Sequence, residues 1–273
     1  MNVIYKGLSD TGRKRGHNED SFLIDEELSL FIVADGMGGH AGGGTASRLA
    51  VETVDMVVRE AWAMDDSPLK EDCPLQSSRI PSVLRRAVQE ACFKIYEAAQ
   101  NNSHLAGMGT TTVALLIHGN HAFFAHVGDS RIYLIRGQLV QQVTEDHSLV
   151  NEQIRAGMIT AEEALKSRYK NIITRSVGFE PTVQVDVMGL VCEPGDTFVL
   201  CSDGMSNLVR ENDILRLTST DDLEAAVQGM VDLANERGGD DNITVVSARV
   251  LRAPLSPLVS RAKEPIDALG PSA

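Results

Sequence analysis

Apolar runs of strand length alternate with acidic or Gly-rich turns in the opening part of the chain. Val3–Leu8 is short and partly apolar, and Ser21–Ile24 follows a polar cluster over Arg13–Asp20. Leu30–Ala34 is continuously apolar, as a strand buried on both faces would be. A Gly-rich turn, Gly36–Gly44, leads to Thr45–Glu60, where Ala46, Leu49, Ala50, Thr53, Val54 and Val57 recur at helical spacing. Asp65–Pro81 is polar, holds prolines and lacks periodicity, which predicts a surface loop. Ser82–Asn101 predicts a second helix, capped by Ser82 and apolar at Val83, Leu84, Ala87, Val88, Ala91 and Ile95.

Three strand-like runs follow, Thr111–Ile117, Ala122–Val127 and Arg131–Ile135, with hairpin turns expected at Gly119-Asn120 and Arg136-Gly137-Gln138. Asp146–Gly178 changes character: it is polar, with helix-like pieces at Leu149–Ala156 and Ala161–Ser167 and no clear strand. Strand character returns at Val183–Val187, Thr197–Cys201 and Ile243–Val250, with a helix expected over Leu223–Arg237. Arg252–Ala273 is Pro-rich without periodicity and reads as a tail. Hairpins of short strands with long helices between the groups indicate an antiparallel α+β layout, not alternating βαβ units.

Composition narrows the function. A net charge of −13 makes the chain a poor general binder of nucleic acid or anionic membrane. No apolar run is long enough to span a membrane, and Met1–Asp10 lacks the pattern of a signal peptide. Cytoplasm is therefore the expected compartment. Cys73, Cys92, Cys192 and Cys201 form no metal-binding spacing and read as small hydrophobes in a reducing environment.

The chemistry lies in where the acids fall. Asp35 ends the Leu30–Ala34 run, Asp203 ends Phe198–Ser202, and Asp129 ends Phe123–Gly128. Asp241 precedes the last apolar run, and Glu19-Asp20 precede Ser21–Ile24. Each alone reads as a turn, since Asp caps it and Gly takes positive φ. Gathered at one sheet edge, such carboxylates would repel one another unless a cation neutralised them. Oxygen donors without a matching His or Cys cluster suit Mg²⁺ or Mn²⁺. Arg15, in a basic trio three residues before Asn18-Glu19-Asp20, could grip a metal-bound phosphate in a fork. Gly36–Ala41 also fits the loose dinucleotide pattern G-x-G-x-x-A, but the acid about 20 residues on, Asp55, falls inside a predicted helix instead of ending a strand. Nucleotide binding there is set aside.

The ordered motifs carry a resemblance. They are Ser9-Asp10-x-Gly12-x-x-Arg15-x-x-Asn18-Glu19-Asp20-Ser21, Val33-Ala34-Asp35-Gly36-Met37-Gly38-Gly39-His40, Gly109-Thr110-Thr111, Val127-Gly128-Asp129-Ser130-Arg131, Thr144-Glu145-Asp146-His147-Ser148, Leu200-Cys201-Ser202-Asp203-Gly204 and Asp241-Asn242-Ile243-Thr244. In this order the chain resembles the bacterial metal-dependent protein phosphatases of type 2C. The resemblance implies an αββα sandwich, two antiparallel sheets with helices on both outer faces. It implies a phosphatase domain over residues 1–251 with a variable flap over about 146–178, and a tail over 252–273.

The resemblance further implies hydrolysis of phosphoserine and phosphothreonine in proteins, opposing a bacterial serine/threonine kinase. It implies two tightly bound Mn²⁺ or Mg²⁺ ions and a third, weaker one. Asp35 would bridge two metals, with Asp203 and Asp241 completing one site and the Gly36 carbonyl the other. Asp20 would ligate nearby and Glu19 act through water. Asp129 would help hold the third ion, and Arg15 the phosphate. Two cations about 3.5–4 Å apart can share a water and make hydroxide at neutral pH, so no protein nucleophile is needed. Eukaryotic relatives carry a histidine near the Asp-Gly pair, proposed as acid for the leaving alkoxide. Here Met37 follows the pair, which leaves a metal-bound water, or else His40, as that acid. A monomer is expected. A catalytically dead relative should have lost a ligand or the arginine, and none is lost.

Overall fold

The computed structural model describes residues 2–38, 42–64 and 79–251. His40, Cys73, nearly all of the loop predicted over Asp65–Pro81, and the Arg252–Ala273 tail lie outside the described residues.

Two antiparallel sheets stack face to face. The first holds β1 (Val3–Asp10), β7 (Arg131–Arg136), β8 (Leu139–Gln142), β10 (Thr197–Cys201) and β11 (Ile243–Val250), in the order β1-β11-β10-β7-β8. The second holds β2 (Asp20–Asp25), β3 (Leu30–Met37), β5 (Thr112–His118), β6 (His121–Val127) and β9 (Asp186–Val191), in the order β2-β3-β5-β6-β9, with β4 (Gly109–Thr110) pairing β3 beside it. Helices α1 (Gly42–Ala63) and α2 (Ile80–Asn101) cover the second sheet. Helices α6 (Glu211–Thr218) and α7 (Leu223–Glu236) cover the first.

Strand alternation builds these layers. In β3, Leu30, Ile32 and Ala34 face α1 and α2, while Phe31 and Val33 point between the sheets. Phe124, Phe198, Leu200 and Val246 join them in that middle layer, where the Phe124 and Phe198 rings lie 5.7 Å apart. A strand with both faces buried reads as an unbroken apolar run, which is why Leu30–Ala34 stood out. Cys92, Cys192 and Cys201 are buried free thiols, as expected.

Several local expectations shift. The second helix starts at Ile80 with Pro81 in its first turn, so Ser82 is inside the helix and not its cap. The strand expected over Val183–Val187 runs instead over Asp186–Val191, an edge strand whose side chains are half covered. Strand β8 and helix α6 were not foreseen. The 146–178 segment holds α3 (Leu149–Arg155) and α4 (Ala161–Lys166), closes on itself through an isolated bridge at Ser148–Ile173 and meets β4 through another at Thr110–Val177. Between β10 and α6, a single helical turn, α5 (Asp203–Ser206), carries Asp203 at its start.

Candidate active site

Sheet register places the acids. Asp20 pairs Asp35 across β2 and β3, and Asp10 pairs Ile243 across β1 and β11, just beyond Asp241. Asp203 follows β10 at the same end of the stack. The Asp35 carboxyl feels Asp20, Asp203, Asp129 and Asp241, so one side chain stands amid the other four. Burial, and after it that crowd of like charges, lifts Asp35 well above the ordinary carboxylate range. Asp20 and Asp129 are each pushed up to about 7, mainly by burial, with Asp203 adding repulsion to both. Asp203 is raised by burial and by Asp241.

The backbone at each acid is held by neighbours of suitable chemistry. The Asp35 N–H donates to Thr111 Oγ1 at 3.0 Å, and Asp35 O accepts from Thr111 N at 2.9 Å and Thr110 Oγ1 at 2.8 Å. Thr111 Oγ1 also meets Ser130 Oγ at 2.7 Å, which ties the Asp35 strand to the Asp129 turn. A Cβ on Gly36 would fall 2.1 Å from Gly43 O and 2.5 Å from Glu19 O, so only glycine lets these backbones close. Asp20 Oδ2 accepts from Thr244 Oγ1 at 2.6 Å and Ser202 Oγ at 2.8 Å, which partly offsets its burial.

The cluster has a defined shortage. Asp20 Oδ1 and Asp203 Oδ1 are shut off from solvent and accept from no N–H or hydroxyl, the Asp203 carboxyl meeting that of Asp35. A buried carboxylate oxygen without a donor is costly, and a cation satisfies it. The donor set is all oxygen, the preference of Mn²⁺ and Mg²⁺, so the residues fit such ions. The side chains do not yet converge: among the described residues, no three of the acids, histidines and cysteines form a ready coordination group. Asp241 Oδ2 is instead drawn 2.7 Å from Arg15 Nη2, and Asn207 Nδ2 donates to Asp203 Oδ2 at 3.2 Å. The orphaned oxygens weigh more than the spacing, because these contacts are exchangeable and the shortage is not.

Asp129 makes no ion pair with its near neighbour Arg131. Arg131 forks onto Asp146 instead, at 2.9 and 2.6 Å, leaving Asp129 buried without it. A cavity of about 280 Å³ opens between Asp129, Asp203, α3 and α4. A larger one, of about 500 Å³, lies at the opposite end of the first sheet around Arg136, Asp196 and Arg249, away from the carboxylates.

A family model described as protein phosphatase 2C matches residues 12–246. The chain belongs to the protein phosphatase 2C family. A serine/threonine phosphatase of Listeria monocytogenes is 39% identical to it over 242 residues, which cover 87% of this chain and 92% of that protein. The solved serine/threonine phosphatase PstP/Ppp of Mycobacterium tuberculosis superposes with a TM-score of 0.81 at 32% identity, over 92% of this chain and 99% of that one. A PstP catalytic domain solved in complex with two manganese ions gives 0.77 at 33%, with the same coverages. This protein phosphatase 2C chain is thus a protein serine/threonine phosphatase with the αββα fold that the motifs implied.

Asn242, one residue beyond Asp241, was given no role from the sequence. Its Oδ1 accepts from Glu19 N at 2.8 Å, and its Nδ2 donates to Thr11 O at 3.0 Å and His17 O at 2.9 Å. One buried amide thus moulds the loop that presents Arg15 and Glu19. All three of its partners are backbone groups, and backbone partners leave no mark in residue identity.

Proposed function

We propose that the protein hydrolyses phosphoserine and phosphothreonine in protein substrates at a two-cation centre of Mn²⁺ or Mg²⁺, with a third, weaker ion beside it. Asp35 would bridge the two ions. Asp203 and Asp241 would complete one site, and the Gly36 carbonyl the other. Asp20 would ligate nearby, Glu19 would act through water, and Asp129 would hold the third ion. The observation that carries this reading is the pair of orphaned oxygens, Asp20 Oδ1 and Asp203 Oδ1, in a cluster centred on Asp35.

When bound, the cations neutralise charge and lower the pKa of the attacking water. The chain's own groups do the rest. Arg15, about half exposed at the rim, has a planar fork that can leave Asp241 and take two phosphate oxygens. Ser202 and Thr244 both donate to Asp20 Oδ2, which leaves Oδ1 as the ligating atom. Asn242 fixes the Arg15 loop against the strand end that carries Asp241. Met37 has no proton to give a leaving alkoxide.

A protein phosphatase takes its substrates from a kinase, and we place a serine/threonine kinase of the same cell upstream. No helix among the described residues is long and apolar enough to cross a membrane. A cytoplasmic monomer with a phosphatase domain over 1–251 is the setting we propose.

The test is turnover of a phosphothreonine peptide by the full chain, with Mn²⁺, with Mg²⁺ and with chelator, beside a small phosphate ester. Turnover should need an added ion and favour the peptide. Turnover in excess chelator would overturn the metal reading. Preference for the small ester would move the substrate from proteins to metabolites.

A further inference from the structure

His147 is bonded to one residue, Gly128, by two routes. Its backbone N–H donates to Gly128 O at 2.8 Å, and its ring Nδ1 accepts from Gly128 N–H at 3.0 Å. Its own carbonyl accepts from Thr174 N at 2.9 Å, on the far side of the flap. Its Nε2 lies 3.3 Å from Asp186 Oδ2 and 2.9 Å from Arg175 Nη1. The ring is buried and stacks on His126, with centroids 4.5 Å apart and planes 26° from parallel.

These contacts fix the ring's state. Because Nδ1 accepts, a neutral imidazole carries its proton on Nε2 and turns it to Asp186, so Arg175 Nη1 beside it is no donor to the ring and spends its hydrogens on Asp186 Oδ1 and Gln184 O. Arg175 then donates to Asp186 Oδ1 at 2.8 Å, alongside the ring. Burial, and the Arg175 charge after it, push His147 below its ordinary value, which keeps the Nδ1 lone pair free.

The peptide it grips is under constraint from the other side too. Gly128 sits at φ +108°, and a Cβ there would lie 2.6 Å from the Thr111 side chain. Thr111 holds Asp35 N and Ser130 Oγ. The turn carrying Asp129 is therefore clamped between the Asp35 strand and His147, and His147 is itself set by the flap residues Thr174 and Arg175.

We infer that His147 is a positioning residue: through its two bonds to Gly128 it couples the flap to the turn that places the Asp129 carboxylate in the active site. The inference rests on the proposed role of Asp129 toward the weaker ion. Movement of the flap over a docked substrate would reach Asp129 through these two bonds.

The experiment compares His147→Asn, His147→Phe and Asp129→Ala in the full chain. Asparagine can set Oδ1 about where Nδ1 stood and accept from Gly128. Phenylalanine keeps the stack on His126 and loses the acceptor. His147→Gln, which places its amide nearer the Nε2 position, replaces the phenylalanine variant if that one does not fold. Three quantities are read: phosphopeptide turnover against Mn²⁺ concentration, hydrogen exchange at Gly128–Ser130, and calorimetric Mn²⁺ binding.

In His147→Phe, the Mn²⁺ concentration for half-maximal turnover should rise about 10-fold or more, as for loss of an outer partner of a metal ligand, with peptide KM little changed. Gly128 exchange should quicken, and the two tight ions should bind as before. His147→Asn should recover most of both losses. Parental Mn²⁺ dependence and exchange in His147→Phe, beside a defective Asp129→Ala, would overturn the role of His147 alone. Equal losses in the Asn and Phe variants would reduce His147 to packing and overturn it as well. Parental behaviour of Asp129→Ala would overturn the reading of Asp129 and the His147 coupling with it.

Discussion

Arg15 Nη2 stands 2.7 Å from Asp241 Oδ2, so the cation suited to phosphate and an acid suited to a metal neutralise each other across the site. In the proposed reading, phosphate and metal exchange partners with this pair. Arg15→Ala should raise KM for phosphopeptide, with a smaller effect on kcat, because the fork holds ground state and transition state alike. The same change should tighten Mn²⁺ binding a few-fold, since a half-exposed ion pair is worth up to about 1 kcal/mol. Steady-state kinetics and calorimetry on one preparation check both halves. A large fall in kcat at unchanged KM would place Arg15 chiefly in the transition state.

Asp35→Asn separates stability from function. The carboxyl is recessed among four others and is held well above the ordinary range by burial and their charge. Asparagine is neutral without having to take up a proton, which removes that cost of folding, so melting in chelator should stay level or rise. Turnover should fall about 100-fold or more, roughly 3 kcal/mol of barrier. Full turnover in this variant is the result that would sink the site.

The pH dependence has a definite sign. Asp20 and Asp129, each pushed up to about 7 mainly by burial, hold protons in the folded chain that the unfolded chain has released near its ordinary value of 3.8. Stability in chelator should therefore fall as pH rises from about 4 to 7 and level off above it. Ions compete with those protons, so the rise in melting temperature on adding Mn²⁺ should be larger at pH 7.5 than at 5.5. Melting curves with chelator or with Mn²⁺ at both values test it; an equal Mn²⁺ effect at both would contradict it.

Asn242→Ala should leave Glu19 N, Thr11 O and His17 O without their partner. The cost should be about 2–3 kcal/mol, set by the buried groups left unpaired. KM should rise too, as the Arg15 loop loosens. Asn242→Asp keeps an acceptor for Glu19 N but cannot donate to Thr11 O and His17 O, so it should not rescue stability. Urea denaturation and peptide kinetics measure the two effects.

What the sequence disclosed follows from how strongly each position is constrained. Leu30–Ala34 and Ile243–Val250 lie in sheet interiors, so their apolar runs are unbroken and their ends easy to place. Strand β8 is short, at a sheet edge, and alternates exposed and half-buried residues; helix α6 fully buries only Ile214 and Thr218. Neither leaves a run long enough to show. The edge strand β9 was misplaced by a few residues for the same reason. Individual acids were visible as turns at strand ends, but their meeting depends on a strand order, β1-β11-β10-β7-β8, that hydrophobic pattern does not encode. The resemblance supplied that step. The histidines had no telling spacing, and the bonds of His147 to the Gly128 backbone are invisible in a string of residue names.

The pairing of β1 with β11 gives the protein a timing rule during synthesis. β1 is an edge strand whose one partner begins at Ile243, near the other end of the chain. At about 5–20 residues per second, β1 leaves the ribosome and waits roughly ten seconds or more for the strand that completes it. Arg15 and Glu19 lie on the loop that follows β1, Asp20 opens β2 at its far end, and Asn242 closes that loop. With the proposed roles of these residues, a nascent chain, or one cut short before Asp241, lacks a working centre however well its helices have packed, and the enzyme comes into action only when β11 docks.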